Sequence, residues 1–202
     1  MTDRMDLIRR PLADRAGAMK AAGAPGEVGL RELAPCAQID LRGDAADAGF
    51  VAAVRSAAGV ALPAEPNRVE TAGERAALWL SPDEWLLLVP FAERTATLEK
   101  LRRELGDRHA SVTDVSANRT ILELAGPKAR EVLAKGCGLD LHPRSFGPGD
   151  CAQTLLARSQ ALIWQSDETP TYRLLVRPSF AAHVADCPVG ALAEYALSPI
   201  PR

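Results

Sequence analysis

Short apolar stretches alternate with helix-spaced apolar positions along most of the chain. Ala76 to Leu80 and Trp85 to Val89 are strongly apolar, and the segment Ser81 to Glu84 between them contains Pro82 at a position that favours a tight turn. Glu93 to Leu105 then repeats leucine at helical spacing. A hairpin followed by a helix recurs about four times, which predicts an α+β fold with antiparallel sheets built from repeated hairpin-helix units, with a parallel doubly wound sheet as the alternative.

The same patterns predict the other elements. The predicted strands and hairpins are two short strands over Val28 to Leu41, a second hairpin over Ser111 to Ala125 that turns at Ala117-Asn118-Arg119, and strands at Cys151 to Ala157, Ala161 to Trp164 and Tyr172 to Val176. The predicted helices are Ala46 to Ala58, Lys128 to Lys135, and a last helix that Ser179 opens and Pro188 kinks or divides.

Residues 1 to 26 differ from the rest of the chain in composition. They are rich in Ala, Arg, Gly and Asp, they include Ala-Gly-Ala-Pro-Gly at Ala22 to Gly26, and they show no sustained apolar period. We therefore expect a flexible N-terminal arm over 1–26. Residues 27–202 are expected to form one domain, either around a single core or as two similar lobes.

Charge and hydropathy exclude two classes of partner. The 202 residues carry 24 basic and 26 acidic side chains, interspersed along the chain, for a net charge of -2. No sequence-wide field draws in nucleic acid or an anionic membrane, and no apolar run approaches the roughly 20 residues of a membrane span. Met1 to Gly26 lacks the pattern of a signal peptide, so we expect a cytoplasmic protein.

The chain offers little chemistry of its own. Its four cysteines and three histidines are scattered without metal-ligand spacing, so free, mostly buried thiols and no metal site are expected. No phosphate loop, dinucleotide fingerprint or nucleophile elbow is present. We predict no catalytic residue and no cofactor in this chain.

Two kinds of residue are candidates for contact with a partner. Trp85, like the other two tryptophans, lies in a predicted strand, where core packing is the simpler interpretation and an interface contact the alternative. Asn118 and Arg119 are most simply turn residues, and contact with a partner or ligand is again the alternative. Trp85, Asn118 and Arg119 are therefore the interface candidates.

Two segments resemble a known fold family. Leu78-Trp79-Leu80-Ser81-Pro82-Asp83-Glu84-Trp85-Leu86-Leu87-Leu88-Val89 and Asp114-Val115-Ser116-Ala117-Asn118-Arg119, continuing to Gly126-Pro127-Lys128-Ala129, are similar to the aminomethyltransferase fold of the glycine cleavage system. The closer resemblance, over Val28 to Tyr195, is to the gamma-subunit family of heterotetrameric sarcosine oxidases. Pro82 to Leu86 and Asp114 to Arg119 are its most specific parts.

The resemblance implies a four-chain enzyme that oxidises the N-methyl group of sarcosine and passes the one-carbon unit to tetrahydrofolate. It implies alpha, beta and delta subunits as partners, with FAD, FMN, NAD and tetrahydrofolate bound on those other subunits. Folate-binding relatives carry an acid before the strand that corresponds to Leu78 to Leu80, where this chain has Arg75-Ala76-Ala77. Glu168, displaced by a position before Tyr172, is the weak remaining candidate for a folate-binding carboxylate.

Three functions therefore stay open. The first is a structural and assembly subunit of sarcosine oxidase. The second is a stand-alone folate-dependent one-carbon transfer or repair protein, which would need a carboxylate such as Glu168 in a central cleft. The third is a binding module for another small metabolite, which would require a sizeable apolar pocket with convergent polar groups.

Overall fold

The computed structural model describes residues 10 to 196, and within them the chain forms ten strands and five helices. The strands are β1 Gly29–Glu32, β2 Ala37–Arg42, β3 Val69–Ala72, β4 Arg75–Ser81, β5 Glu84–Val89, β6 Ser111–Asp114, β7 Thr120–Ala125, β8 Cys151–Leu156, β9 Ser159–Asp167 and β10 Thr171–Val176. The helices are α1 Ala16–Ala22, α2 Ala48–Ala58, α3 Arg94–Leu105, α4 Ala129–Ala134 and α5 Pro178–Ala196. Every strand pair in the two sheets is antiparallel, so the predicted α+β class is confirmed.

The chain divides into two compact units, each with its own five-stranded sheet. The first unit covers residues 35–118 and has the strand order β3-β4-β5-β2-β6. The second combines residues 10–34 with residues 119–196 and has the order β1-β7-β10-β9-β8. Residues 10–34 thus belong to the same unit as residues 119–196.

Helices α2 and α3 cover one face of the first sheet. Asp47 begins α2 as its N-cap, with its carboxylate accepting a 2.7 Å hydrogen bond from the Gly49 amide, and Gly59 ends it with a φ of +70°. Phe50 and Val54 of α2 are buried against strand residues. The members of this core are Ala37, Ile39, Leu41, Phe50, Val54, Ala57, Ala58, Val60, Ala77, Trp85, Leu87, Val89, Leu98, Leu101 and Leu105.

The second sheet buries one face under helices α1, α4 and α5. Alternate residues of the central strands point into this core, including Leu122 and Leu124 of β7 and Tyr172 and Leu174 of β10. Helix α5 contributes Ala181, Val184, Ala185 and Leu192. It continues through Pro188 as one element of 19 residues. Of the two outcomes expected at Pro188, a kink or a restarted second helix, the restart is therefore wrong.

The predicted second hairpin over Ser111 to Ala125 is also wrong, although both of its strands exist. β6 pairs with β2 in the first sheet, and β7 pairs with β1 and β10 in the second. The partners are distant in sequence, and local apolar pattern carries no information on such pairings. Asn118 and Arg119 are consequently the junction between the two units rather than a hairpin turn.

Residues 10–26 are not the flexible arm that composition indicates. They contain a 3-10 turn at Ala13–Arg15 and helix α1, and they bury Leu12 and Met19 in the second core. Arg10 also donates to the buried Glu32, through Nε to the carboxylate at 3.2 Å and through Nη2 to the backbone oxygen at 2.7 Å. A helix of seven residues with one buried side chain is too short to show a period. The remainder of the predicted arm, 1–9, lies outside the described residues.

Candidate partner interface

The Pro82 to Leu86 segment is held by polar contacts at the turn between β4 and β5. The Ser81 hydroxyl donates to the Asp83 carboxylate at 2.6 Å, and this hydrogen bond is the main reason that the pKa of Asp83 is lowered. Arg42 of β2 donates to Glu84 at 2.6 Å. These contacts engage both acids in fixing the turn between β4 and β5.

Trp85 lies in the core of the first unit. Its side chain is 1% exposed, its ring centroid is 5.9 Å from that of Phe50, and its indole N–H donates to the Pro63 carbonyl at 3.1 Å. A side chain this deeply covered within its own chain leaves no surface for another subunit. The structure therefore supports the core interpretation of Trp85 over the interface one.

Asp114 organises the end of β6, where the Asp-Val-Ser segment begins. One carboxylate oxygen accepts from the Ser116 amide at 3.0 Å and from the Ser116 hydroxyl at 2.6 Å, and the other accepts from Arg94 Nε at 2.6 Å. The Ser116 hydroxyl oxygen in turn accepts from the Gln38 amide at 3.0 Å. Partial burial acts to raise the pKa of Asp114, but the hydrogen bonds from Ser116 and Arg94 hold it below its ordinary value.

We expect Asp114→Asn to lower the free energy of unfolding by about 1 to 2 kcal/mol at neutral pH, because the charge-assisted hydrogen bonds from Ser116 and Arg94 are weakened. A carboxyl group with a lowered pKa stabilises the folded state above its unfolded pKa, and that contribution is lost as the pH falls through the folded pKa. Denaturant unfolding at several pH values checks this. The difference between the two proteins should shrink below about pH 4, whereas a difference that stays constant would contradict the assignment.

Arg119, where the chain re-enters the second unit, lines a cavity on that unit's sheet. The cavity has a volume of about 550 Å³ and a floor that includes the buried Leu162 and Leu175. We call it the Arg119–Arg177 cavity. Its ten lining residues are Arg119, Gly138, Gln153, Thr154, Leu155, Gln160, Ala161, Leu162, Leu175 and Arg177.

Strand register explains why two arginines meet at this cavity. Thr120, the first residue of β7, is paired with Val176, the last residue of β10. Because the two strands are antiparallel, Arg119 and Arg177 lie at the same end of the strand pair. The ten lining residues include these two guanidinium groups and no carboxylate. The cavity is therefore suited to a negatively charged group, and sequence reasoning identified Arg119 but missed Arg177.

Glu168, the candidate folate-binding carboxylate, is exposed in the turn between β9 and β10. It is not among the residues that line the Arg119–Arg177 cavity. Tyr172 nearby is fully buried against Phe146, with ring centroids 6.5 Å apart, and this burial raises its pKa. Arg75, the one charged residue of the segment Arg75-Ala76-Ala77, forms an ion pair with Glu93.

Residues 10–196 contain neither a candidate metal cluster nor a candidate membrane span. No group of three or more acidic, cysteine or histidine side chains in this range could hold a metal ion. None of the helices in this range has the length and apolar character that a membrane span requires. The four cysteines are free thiols, two of them buried.

A model of the sarcosine oxidase gamma subunit family matches residues 42–188, which is well over half of the chain. The chain belongs to this family. It is similar to the sarcosine oxidase gamma subunit of Corynebacterium sp. (strain U-96), with 41% identity over 99% of this chain and 97% of that protein. The gamma subunit of Corynebacterium sp. (strain P-1) is 39% identical over 95% of this chain and 93% of that protein.

Solved structures agree with this membership of the gamma-subunit family. A chain of heterotetrameric sarcosine oxidase from Corynebacterium sp. U-96, solved with pyrrole 2-carboxylate, superposes with a TM-score of 0.87 and 40% identity over 96% of this chain and 100% of that chain. The glycine cleavage system aminomethyltransferase T of Bartonella henselae shares the fold, with a TM-score of 0.60 and 16% identity over 87% of this chain and 48% of that chain. The resemblances inferred from Pro82 to Leu86 and from Asp114 to Arg119 are thereby confirmed.

Proposed function

We propose that this chain acts as the gamma subunit of a heterotetrameric sarcosine oxidase, an oxidoreductase that demethylates sarcosine to glycine with tetrahydrofolate as the one-carbon acceptor. Its own role is structural: it helps to assemble the enzyme and carries no catalytic residue. The partners are the alpha, beta and delta subunits, and FAD, FMN, NAD and tetrahydrofolate are bound by those other chains. Four free thiols are in keeping with a cytoplasmic enzyme.

The observation that carries this proposal is likeness over whole chains rather than over a motif. The superposition with the sarcosine oxidase chain covers 96% of this chain and all of the other, so the likeness extends across both five-stranded sheets. The curated gamma subunits have nearly the same extent, because the alignments cover 97% and 93% of their lengths.

The geometry of the family motifs supports an assembly role. Asp83, Glu84 and Asp114 are engaged in turns and ion pairs, and Trp85 is in the core. Glu168 stands in an exposed turn, where water solvates its carboxylate, and it does not line the Arg119–Arg177 cavity. These residues stabilise the scaffold and do not converge on a reacting centre.

The two alternative functions require different binding sites in this chain. A stand-alone folate-dependent one-carbon transfer or repair protein needs a carboxylate in its cleft, and the resemblance to aminomethyltransferase T supports only the shared fold. A free-standing metabolite-binding module would use the Arg119–Arg177 cavity, whose apolar floor and polar rim meet part of that requirement.

Two activity measurements distinguish these functions. We expect the isolated chain to show no oxidation of sarcosine, and we expect Glu168→Gln in the assembled enzyme to leave kcat within about twofold of wild type, because an exposed turn carboxylate stabilises no transition state. Steady-state oxygen consumption measures both.

Asp167→Asn, in the adjacent exposed position, is the matched control for loss of one acidic charge. Turnover by the isolated chain would contradict the proposal. A large fall in kcat for Glu168→Gln alone, with the complex still intact, would favour the folate-dependent alternative.

A further inference from the structure

Resting on the proposed function, we propose that the Arg119–Arg177 cavity seats an extended segment of a larger sarcosine oxidase subunit that presents a carboxylate beside an apolar side chain. The cavity belongs entirely to the second unit of this chain, and none of the family motif contacts described above fill it. It is the place where this subunit offers a charge-selective contact to its neighbours.

The first argument is charge. Arg119 and Arg177 lie at the same end of adjacent strands, and the cavity lining contains no carboxylate. Each guanidinium has five N–H donors in a planar fork, so it can bind an oxyanion while it keeps a contact within its own chain. Guanidinium groups recognise carboxylates with two parallel hydrogen bonds, which gives both attraction and a fixed orientation.

The second argument is the apolar surface at the rim. Leu155 of the edge strand β8 is 56% exposed and lines the cavity. Exposed Gln153 and Gln160 flank it, and Leu162 and Leu175 form an apolar floor. An apolar centre surrounded by polar and charged groups is the usual anatomy of a protein interface.

The third argument favours a protein segment over a small anion as the occupant of the cavity. A phosphate or a free carboxylate would pair with the arginines but would leave Leu155 in water. Phe180, 49% exposed, lies one helical turn after Arg177, whose carbonyl accepts the Phe180 amide at 2.9 Å. Among the described residues, Leu155 and Phe180 are the two most exposed large hydrophobic side chains, and both belong to the unit that contains the cavity. A polypeptide that pairs with the arginines can cover such surface, and burial of it stabilises the complex.

The test uses the complete enzyme, with all four subunits co-expressed and this chain tagged. We expect Arg177→Glu and Arg119→Glu to weaken retention of the flavin-bearing subunits at least about tenfold, because charge reversal places like charges together. Leu155→Ser should weaken it by a smaller factor. Sedimentation of the purified complex at decreasing concentration measures the dissociation, and mass spectrometry identifies the retained chains.

Arg144→Glu is the matched control, since Arg144 is an exposed arginine of the same unit that does not line the cavity. Each variant's thermal unfolding is compared with wild type, and Leu155→Ser keeps the test decisive if a charge reversal fails to fold.

Failure of the wild-type chain to retain the large subunits would reject the proposed function itself. Retention by the cavity variants that equals wild type, or losses no greater than that of Arg144→Glu, would overturn only the cavity proposal. Arg177-dependent binding of inorganic phosphate by the isolated chain, with assembly unaffected, would also overturn it by assigning the cavity to a small anion.

Discussion

Replacing Gly126 by alanine is expected to lower the free energy of unfolding by at least about 2 kcal/mol, which is a large share of the stability of a small protein. Gly126 has a φ of +124°, a region that side chains with a Cβ atom rarely adopt. A Cβ atom there would also lie 2.3 Å from the Glu27 carbonyl oxygen, which accepts the Lys128 amide at 3.1 Å. The substitution therefore combines backbone strain with a clash against backbone that holds the start of α4.

Gly17→Ala is the matched control for this substitution. Gly17 lies in α1 of the same unit, has no positive φ, and leaves open space around an added Cβ. Alanine in a helix is favoured over glycine by roughly 0.5 to 1 kcal/mol, so this variant should be as stable as wild type or more stable. Chemical denaturation of both variants checks the pair. A Gly126→Ala protein with wild-type stability would contradict the geometry of the Gly-Pro turn.

Trp85→Ala is expected to lower the free energy of unfolding by about 3 to 5 kcal/mol, because it leaves a large cavity in the first core. The indole is 1% exposed and packs on Phe50, and its N–H satisfies the Pro63 carbonyl. The same denaturation experiment measures the loss, which should be evident in the isolated chain without any partner.

Trp85→Phe separates packing from hydrogen bonding at the same position. Phenylalanine keeps most of the aromatic contact and removes the N–H, so the expected cost is about 1 to 2 kcal/mol, mainly from the unsatisfied Pro63 oxygen. The core interpretation would be contradicted if the isolated Trp85→Ala chain unfolded like wild type but failed to join the complex. Trp85 would then be assigned to the interface with a partner subunit.

The hairpin of β4 and β5 shows what local pattern can predict. Its strands are adjacent in sequence, the turn between them contains Pro82, and the apolar runs extend over most of each strand. β6 and β7 look equally adjacent but pair with β2 and with β1 and β10, in different sheets. Such pairings depend on the burial of whole sheet faces, which a window of about ten residues does not contain.

The candidate interface was predictable only in part for the same reason. The sequence pattern indicates Arg119 as a turn residue, with contact to a partner or ligand as the alternative. The site it forms depends on Arg177, which lies 58 positions later in the chain. The pairing of Thr120 with Val176 brings the two together, and that register cannot be derived from either segment alone. The sequence pattern likewise does not distinguish Leu155 from a core residue. Leu155 is exposed because β8 is an edge strand, and the order of strands in the sheet is not contained in the local sequence.

Glu168 shows the opposite case. The family resemblance indicates this residue as a candidate for folate binding, but its exposed position in the structure does not support that role. Its place just before Tyr172 is compatible with the folate-binding pattern in sequence alone. In the structure it occupies the exposed tip of the β9 to β10 connection, whereas Tyr172 is buried in the core. A functional carboxylate must be assigned from its surroundings and not from its spacing.

Membership of the gamma-subunit family makes assembly with larger chains the central claim. The most direct test is to purify this chain, tagged, from cells that produce all the subunits, and to record the mass and the absorbance of the product. We predict a large complex with flavin absorbance and sarcosine oxidase activity. A colourless single chain that binds tetrahydrofolate would contradict the claim and indicate an independent folate protein.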